Sequence, residues 1–132
     1  NASIESSIQQ AVNEFSKKCH YTIEFHYSLD KNVLKPHQEI HLLQIIREAL
    51  SNIHSHAQAS ATTVNVRLEN DEVQVEITDN GCGLPESPSK EGHFGLKIMD
   101  ERAKSLGGTL HFEQNAPHGT RLSLHFKITP DN

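Results

Sequence analysis

The chain has 132 residues, room for one compact domain with a single core, and its 35% hydrophobic and 22% charged residues are ordinary for a globular protein. Twelve Lys and Arg against seventeen Asp and Glu give a formal charge of -5 with no basic cluster, which argues against nucleic acid or an anionic membrane as partner. No apolar run is long enough to cross a bilayer, Asn1 does not open a signal peptide, and Cys19 and Cys82 form no C-x-x-C pair. These features predict a reducing compartment and a piece of a longer protein.

Ile4, Ile8, Ala11, Val12 and Phe15 recur at helical spacing and predict an amphipathic helix from about Ser3 to Lys17. Ile23, Phe25 and Tyr27 alternate with polar residues, the pattern of a strand buried on one face. After a loop, Pro36 suits the first turn of a second helix, and Leu43, Ile46, Leu50, Ile53 and Ala57 carry that helix to about Ala57. Val64, Val66 and Leu68, then Val73, Val75 and Ile77, read as a hairpin turning at Asn70-Asp71. From Asp79 to Gly95 the pattern breaks into Gly, Pro and Ser. Leu96, Met99, Ala103 and Leu106 restore a helix that Gly107-Gly108 ends, and the runs around Leu110 to Phe112 and Leu122 to Phe126 supply two last strands. The order α-β-α-β-β-α-β-β lacks regular βαβ alternation. It predicts a single α/β (α+β) domain over residues 1–132, a two-layer sandwich in which three helices cover one face of a mixed, roughly five-stranded sheet.

Three segments stand apart from ordinary core and surface. Glu48, Asn52 and His56 lie four apart on the second helix and share one stripe. A carboxylate and a carboxamide one turn apart offer hard oxygen ligands for magnesium, although a solvated helix face has the same composition. Asp79-Asn80-Gly81-Cys82-Gly83-Leu84-Pro85 follows a buried strand. Its glycines let the backbone turn and a flat ligand approach, and Asp79 is a pure acceptor suited to an adenine amino group, while D-N-G is also a common turn. Gly92-His93-Phe94-Gly95-Leu96 opens the third helix, where free N–H groups and the helix dipole suit a phosphate. It is neither a Walker A loop nor a G-x-G-x-x-G fingerprint. Gly119-Thr120 lines the same pocket or forms a plain turn.

The joint order is more specific than any one segment. E-x-x-x-N on a helix, D-x-G-x-G after a strand, G-x-x-G-L at a helix start and a terminal G-T resemble the N, G1, G2 and G-T boxes of the histidine-kinase branch of the ATPase superfamily shared with gyrase and MutL. REALSNIHSHAQA, DNGCGLP, GHFGLKIMDERAKSLGG and GTRLSLHF resemble the short-lid subfamily of sensor kinases that includes the nitrate/nitrite sensor kinases. The likeness covers about Ser3 to Phe126 and implies the Bergerat ATP-binding fold. It implies Asn52 as a magnesium ligand, and Glu48 as a group that orients a metal-bound water or activates the attacking atom. It implies Asp79 as the acceptor for adenine, with Gly81 or Thr120 completing that contact through a water. Gly81, Gly83 and Leu84 would seat the base, Gly92, His93, Phe94, Gly95 and Leu96 would hold the phosphates, and His56 would point towards them. Pro85 to Glu91 would form a short lid without the additional phenylalanine-bearing box of longer lids.

The implied cofactors are ATP and Mg2+. The implied partners are a separate phosphoacceptor helical bundle of the same parent protein and, through that parent, a response regulator. The acceptor motif places an acid directly after the histidine, and none of the ten histidines here precedes Asp or Glu. An isolated, monomeric domain that does not phosphorylate itself is therefore expected, on the cytoplasmic side of a bacterial inner-membrane sensor. Two other readings keep the fold: a serine kinase of the anti-sigma type, and a non-catalytic, nucleotide-gated interaction domain. A transition-metal site at His54-Ser55-His56 is disfavoured, because H-x-H on a helix turns its rings about 100° apart.

Overall fold

The computed structural model describes residues 3–83 and 95–128. Helix α1 (Ile4–Cys19) begins where the Ser3 hydroxyl accepts the Ser6 N–H at 3.1 Å, and runs two residues beyond the expected stop to a C-cap, His20, in the left-handed region. Its inner stripe is Ile8, Ala11, Val12 and Phe15, as the spacing predicts. Ile23 is buried just before strand β1 (Glu24–Ser28), in which Phe25 and Tyr27 are half-buried, as suits a strand at a sheet edge.

Helix α2 (Pro36–Asn52) has Pro36 in its first turn, and the Gln38 carboxamide accepts the Lys35 N–H at 2.9 Å. Gln38, one of few buried polar side chains, also donates to the Lys127 and Ile128 carbonyls, tying the helix start to the end of the last strand. The buried face runs through Leu42, Ile45, Ile46, Ala49 and Leu50, so the expected stripe through Leu43 is corrected by one residue and Leu43 is only half-buried. The expected α-helix to Ala57 is corrected as well. Ile53–Ala57 is a π-helical turn, ended by Gln58 at φ 53°. Its apolar residues Ile53 and Ala57 are still buried, which is why spacing alone does not reveal the change of pitch.

Strands β2 (Thr62–Glu69) and β3 (Glu72–Asp79) form the expected hairpin. Asn70 and Asp71 both have positive φ, 54° and 64°, as a type I′ turn requires. Helix α3 (Leu96–Ser105) buries Met99 and Ala103 and closes with Gly108 N–H on the Ala103 carbonyl and Gly107 N–H on that of Lys104, both 2.9 Å. Strands β4 (Thr109–Gln114) and β5 (Thr120–Lys127) complete a sheet of order β1-β2-β3-β5-β4. Only the β1–β2 pair is parallel.

The last strand of the chain therefore sits inside the sheet. Val64, Val66, Val73, Val75, Ile77, Leu122, Leu124 and Phe126 point to the helices and are buried. The alternate positions, such as Asn65, Gln74, Glu76 and Ser123, are polar and partly exposed, which leaves the other face of the sheet open. This is the two-layer architecture expected. Among the described residues no helix is long and apolar enough to cross a membrane.

Candidate functional site

A cleft opens where the end of α2 and its π-helical turn meet the ends of β3, β4 and β5. It encloses about 420 Å³, its open mouth included, within the usual range for a small-molecule site. Ala49, Ile53, Ala57, Ile77, Phe112 and Leu122 make its walls apolar. Asn52, His56, Asp79, Gly83 and Thr120 supply the other lining groups. The structure thus brings together five sequence-predicted residues from three separate segments.

Asp79 is the buried acid of the cleft. Burial leaves it 4% exposed and pushes its carboxyl above the usual range, against which the Gly81 and Thr120 backbone N–H groups donate to it and favour the charge. The Gly81 bond is 2.8 Å. Gly81 and Thr120 therefore act on the carboxylate directly, and Thr120 also reaches the cleft. A Cβ on Gly81 would run into the Ala57 carbonyl, which explains glycine there. Gly83 adopts φ 81° and lines the cleft.

A clasp of polar groups, not singled out by sequence reasoning, fixes this loop. The Asn80 carboxamide oxygen accepts the Ser60 and Ala61 N–H groups at 2.9 and 3.0 Å, and its NH2 donates to the Ser60 hydroxyl. Cys82 N–H donates to the Ala57 carbonyl at 2.7 Å, so the loop takes up an orphan acceptor of the π-helical turn. From the other side, Asn115 donates to the Asp79 carbonyl and His118 Nδ1 to the Asn80 carbonyl. The D-N-G sequence was a signal for Asn80, whereas Asn115 and His118 lie on a loop whose meeting with this one depends on strand order.

Glu48, one turn before Asn52 on α2, is not among the residues that line this cleft. Its carboxylate lies against Gly95, which caps α3 at φ 60°. Gly95 caps α3 and Leu96 begins it, and neither is among the residues that line the cleft. Leu84, Gly92, His93 and Phe94, together with the Pro85–Glu91 stretch read as a lid, lie outside the described residues. The two histidines of H-x-H part as their spacing requires: His56 faces the cleft, while His54 Nδ1 is 3.9 Å from Cys19 Sγ. No cluster of three His, Cys, Asp or Glu side chains able to hold a metal occurs among the described residues.

The model of the histidine kinase-, DNA gyrase B- and HSP90-like ATPase family matches residues 37–130. The nitrate/nitrite sensor proteins NarX and NarQ of Escherichia coli K12 are 37% and 38% identical over 123 and 127 residues, 93% and 96% of this chain. The chain spans only 21% and 22% of the length of those proteins. The histidine kinase domain of the Erythrobacter litoralis EL346 blue-light activated histidine kinase superposes with a TM-score of 0.76 at 18% identity, over 96% of this chain and 61% of that one, a likeness of fold. The chain belongs to the histidine kinase-, DNA gyrase B- and HSP90-like ATPase family, and among its members it is similar to the sensor histidine kinases of two-component systems.

Proposed function

We propose that this domain binds Mg-ATP and donates the γ-phosphoryl group to a histidine on a separate dimerisation bundle of its parent protein, from which a response regulator is phosphorylated. The observation that carries the reading is the buried Asp79 carboxylate at the base of an apolar cleft with Asn52 and His56 beside it. A purine is flat and largely apolar, with an exocyclic amino group on one edge. Ile53, Ile77, Leu122 and Phe112 suit its faces, and Asp79, held by two backbone donors, has acceptor capacity left for that amine. Guanine presents a carbonyl at the corresponding position, which cannot donate to the carboxylate.

Asn52 offers a carboxamide oxygen at the cleft. That donor alone does not bind magnesium, and it fits an ion whose remaining ligands are phosphate oxygens and water. Magnesium would be held by Asn52, with Glu48 as the nearby carboxylate, and it supplies charge neutralisation for phosphoryl transfer. In that transfer an imidazole nitrogen forms a bond to the γ-phosphorus as the bond to the bridging oxygen breaks and ADP leaves. The chain's part is to hold the nucleotide, orient its phosphates and exclude water. His56 faces the phosphate side in this arrangement.

The role needs a bundle on another segment, so the isolated domain is a monomer without autokinase activity, and its place is the cytoplasmic side of a bacterial inner-membrane sensor. The test is calorimetric titration with a non-hydrolysable ATP analogue, with and without magnesium, on the wild type and Asp79→Asn. Saturable binding that Asp79→Asn abolishes and magnesium strengthens is expected. Absence of binding to the wild type overturns the reading, and transfer of phosphate to an isolated acceptor bundle separates a histidine kinase from a serine kinase.

A further inference from the structure

We infer that Asn115 and His118, on the connection between β4 and β5 and outside the cleft lining, are positioning residues that aim the Asp79 carboxylate at the exocyclic amine of the base, a role that rests on the nucleotide reading above. The paired register of β3 and β5 ends at Thr78 and Arg121, so Asp79 and Thr120 lie one step past it. Side chains hold the two segments together from there. Asn115 Nδ2 donates to the Asp79 carbonyl at 3.0 Å, and His118 Nδ1 stands 2.7 Å from the Asn80 carbonyl. A carbonyl oxygen only accepts, so in this bond Nδ1 carries a proton. The connection is itself closed by the Asn115 N–H on the Gly119 carbonyl at 3.1 Å. Gly119 is buried, and a Cβ on it would run into the Asp79 carbonyl, so the turn lies directly against the end of β3. The Gly119 carbonyl is also the atom nearest to where a Cβ on Gly83 would stand, at 3.4 Å, and Gly83 lines the cleft.

The Asp79 carboxylate takes its donors from two segments: the Gly81 N–H of its own loop, at 2.8 Å, and the N–H of Thr120, the first residue of β5. The rotation of the carboxylate depends on how those segments sit relative to each other. Asn115 and His118 set that relation, because they tie the Asp79 and Asn80 backbone to the turn that ends at Thr120. A carboxylate held by both donors presents its remaining lone pairs in one direction. Loosening the turn lets the Thr120 donor shift and the carboxylate rotate about its bond to Cβ. The ordering must then be done at binding, and affinity falls. That loss is confined to the contact with the amine. The apolar walls Ile77, Phe112 and Leu122 sit within the paired ladders and are held without the turn.

The test combines two nucleotides with a short series of variants. Purine riboside 5′-triphosphate lacks the exocyclic amine of ATP and is otherwise the same ligand, so the ratio of the two affinities reads the amine contact alone. His118→Ala removes the donor. His118→Asn keeps a donor nitrogen at the same number of bonds from Cα as Nδ1, whereas His118→Gln places it one bond further, as Nε2 is. Asn115→Ala removes the other tie. His118 is exposed, so its replacement leaves the core intact. Affinities are measured on the domain by calorimetry, and hydrogen exchange of the Gly81 and Thr120 amides is followed by NMR without ligand. Thermal melts confirm folding.

His118→Ala and Asn115→Ala are each expected to weaken ATP about fivefold and to leave purine riboside triphosphate within about twofold of the wild type. Exchange at Gly81 and Thr120 should quicken in both, with the Val75 amide inside β3 unchanged. His118→Asn should restore the wild-type values, and His118→Gln should not. An equal loss for the two nucleotides, or unchanged exchange at Gly81 and Thr120 in both alanine variants, overturns the positioning role. A wild type that binds neither nucleotide, or does not prefer ATP, overturns the base-recognition reading above instead, and the exchange rates still decide whether these side chains hold the donors of Asp79.

Discussion

The Glu48 carboxylate occupies the space that a side chain on Gly95 would need: a Cβ there would stand 2.5 Å from Glu48 Oε2. This relationship sets one turn of α2 against the N-cap residue of α3. At the far end of the same pairing Arg102 Nη1 lies 3.3 Å from His41 Nδ1, so the two helices run antiparallel. The carboxylate also sits at the positive end of the α3 dipole, where a negative charge is stabilised.

Gly95→Ala is expected to lower stability by about 1–2 kcal/mol, because φ 60° is left-handed and a Cβ is strained there. The clashing atom belongs to a flexible side chain, so the steric part should be small. In a double-mutant cycle with Glu48→Ala, followed by urea denaturation, the coupling should therefore be well below the single-variant loss. A coupling as large as that loss would mean that the carboxylate is rigidly held.

The burial of Asp79 has a definite sign in pH. Its folded pKa is raised above the ordinary 3.8, so its contribution to stability is full below that value and is lost as pH rises through the folded pKa. Asp79→Asn cannot ionise. The melting temperature of this variant minus that of the wild type, measured without nucleotide, should thus grow more positive as pH rises above 3.8. A flat difference would show that the Gly81 and Thr120 donors offset the burial fully.

Asn80→Ala removes the acceptor of two backbone N–H groups and the donor to Ser60. A loss of about 1–3 kcal/mol in denaturant titration is expected if those N–H groups become unsatisfied. Nucleotide affinity should fall with it, since Asn80 joins Asp79 to Gly81. Stability loss with unchanged affinity would place the clasp outside the binding machinery.

Much of the fold is legible because strand alternation and turn chemistry are local. Val73, Val75 and Ile77 announce a buried face, and Asn70-Asp71 announces the hairpin. The π-helical turn is not legible, since Ile53 and Ala57 satisfy either pitch. Of the site, Asp79 and Asn52 could be read from motif order, whereas the apolar walls could not. Phe112, Ile77 and Leu122 look like any core residues until the pairing of Ile77 with Leu122 and of Leu122 with Phe112 sets them side by side. The contact of Glu48 with Gly95 was equally hidden, because it depends on where α3 packs.

Placing β5 between β3 and β4 has a kinetic consequence. Thr120 and Leu122, which complete the cleft, arrive on this last strand, and its pairing with β3 closes a loop of more than forty residues. Such a closure is entropically slow compared with the β2–β3 hairpin. The helices and the hairpin can form while the cleft still lacks a wall, so the ability to hold a ligand waits on this long-range pairing. Ligand capture then reports a finished domain, and a partly folded chain has no cleft in which to trap a nucleotide.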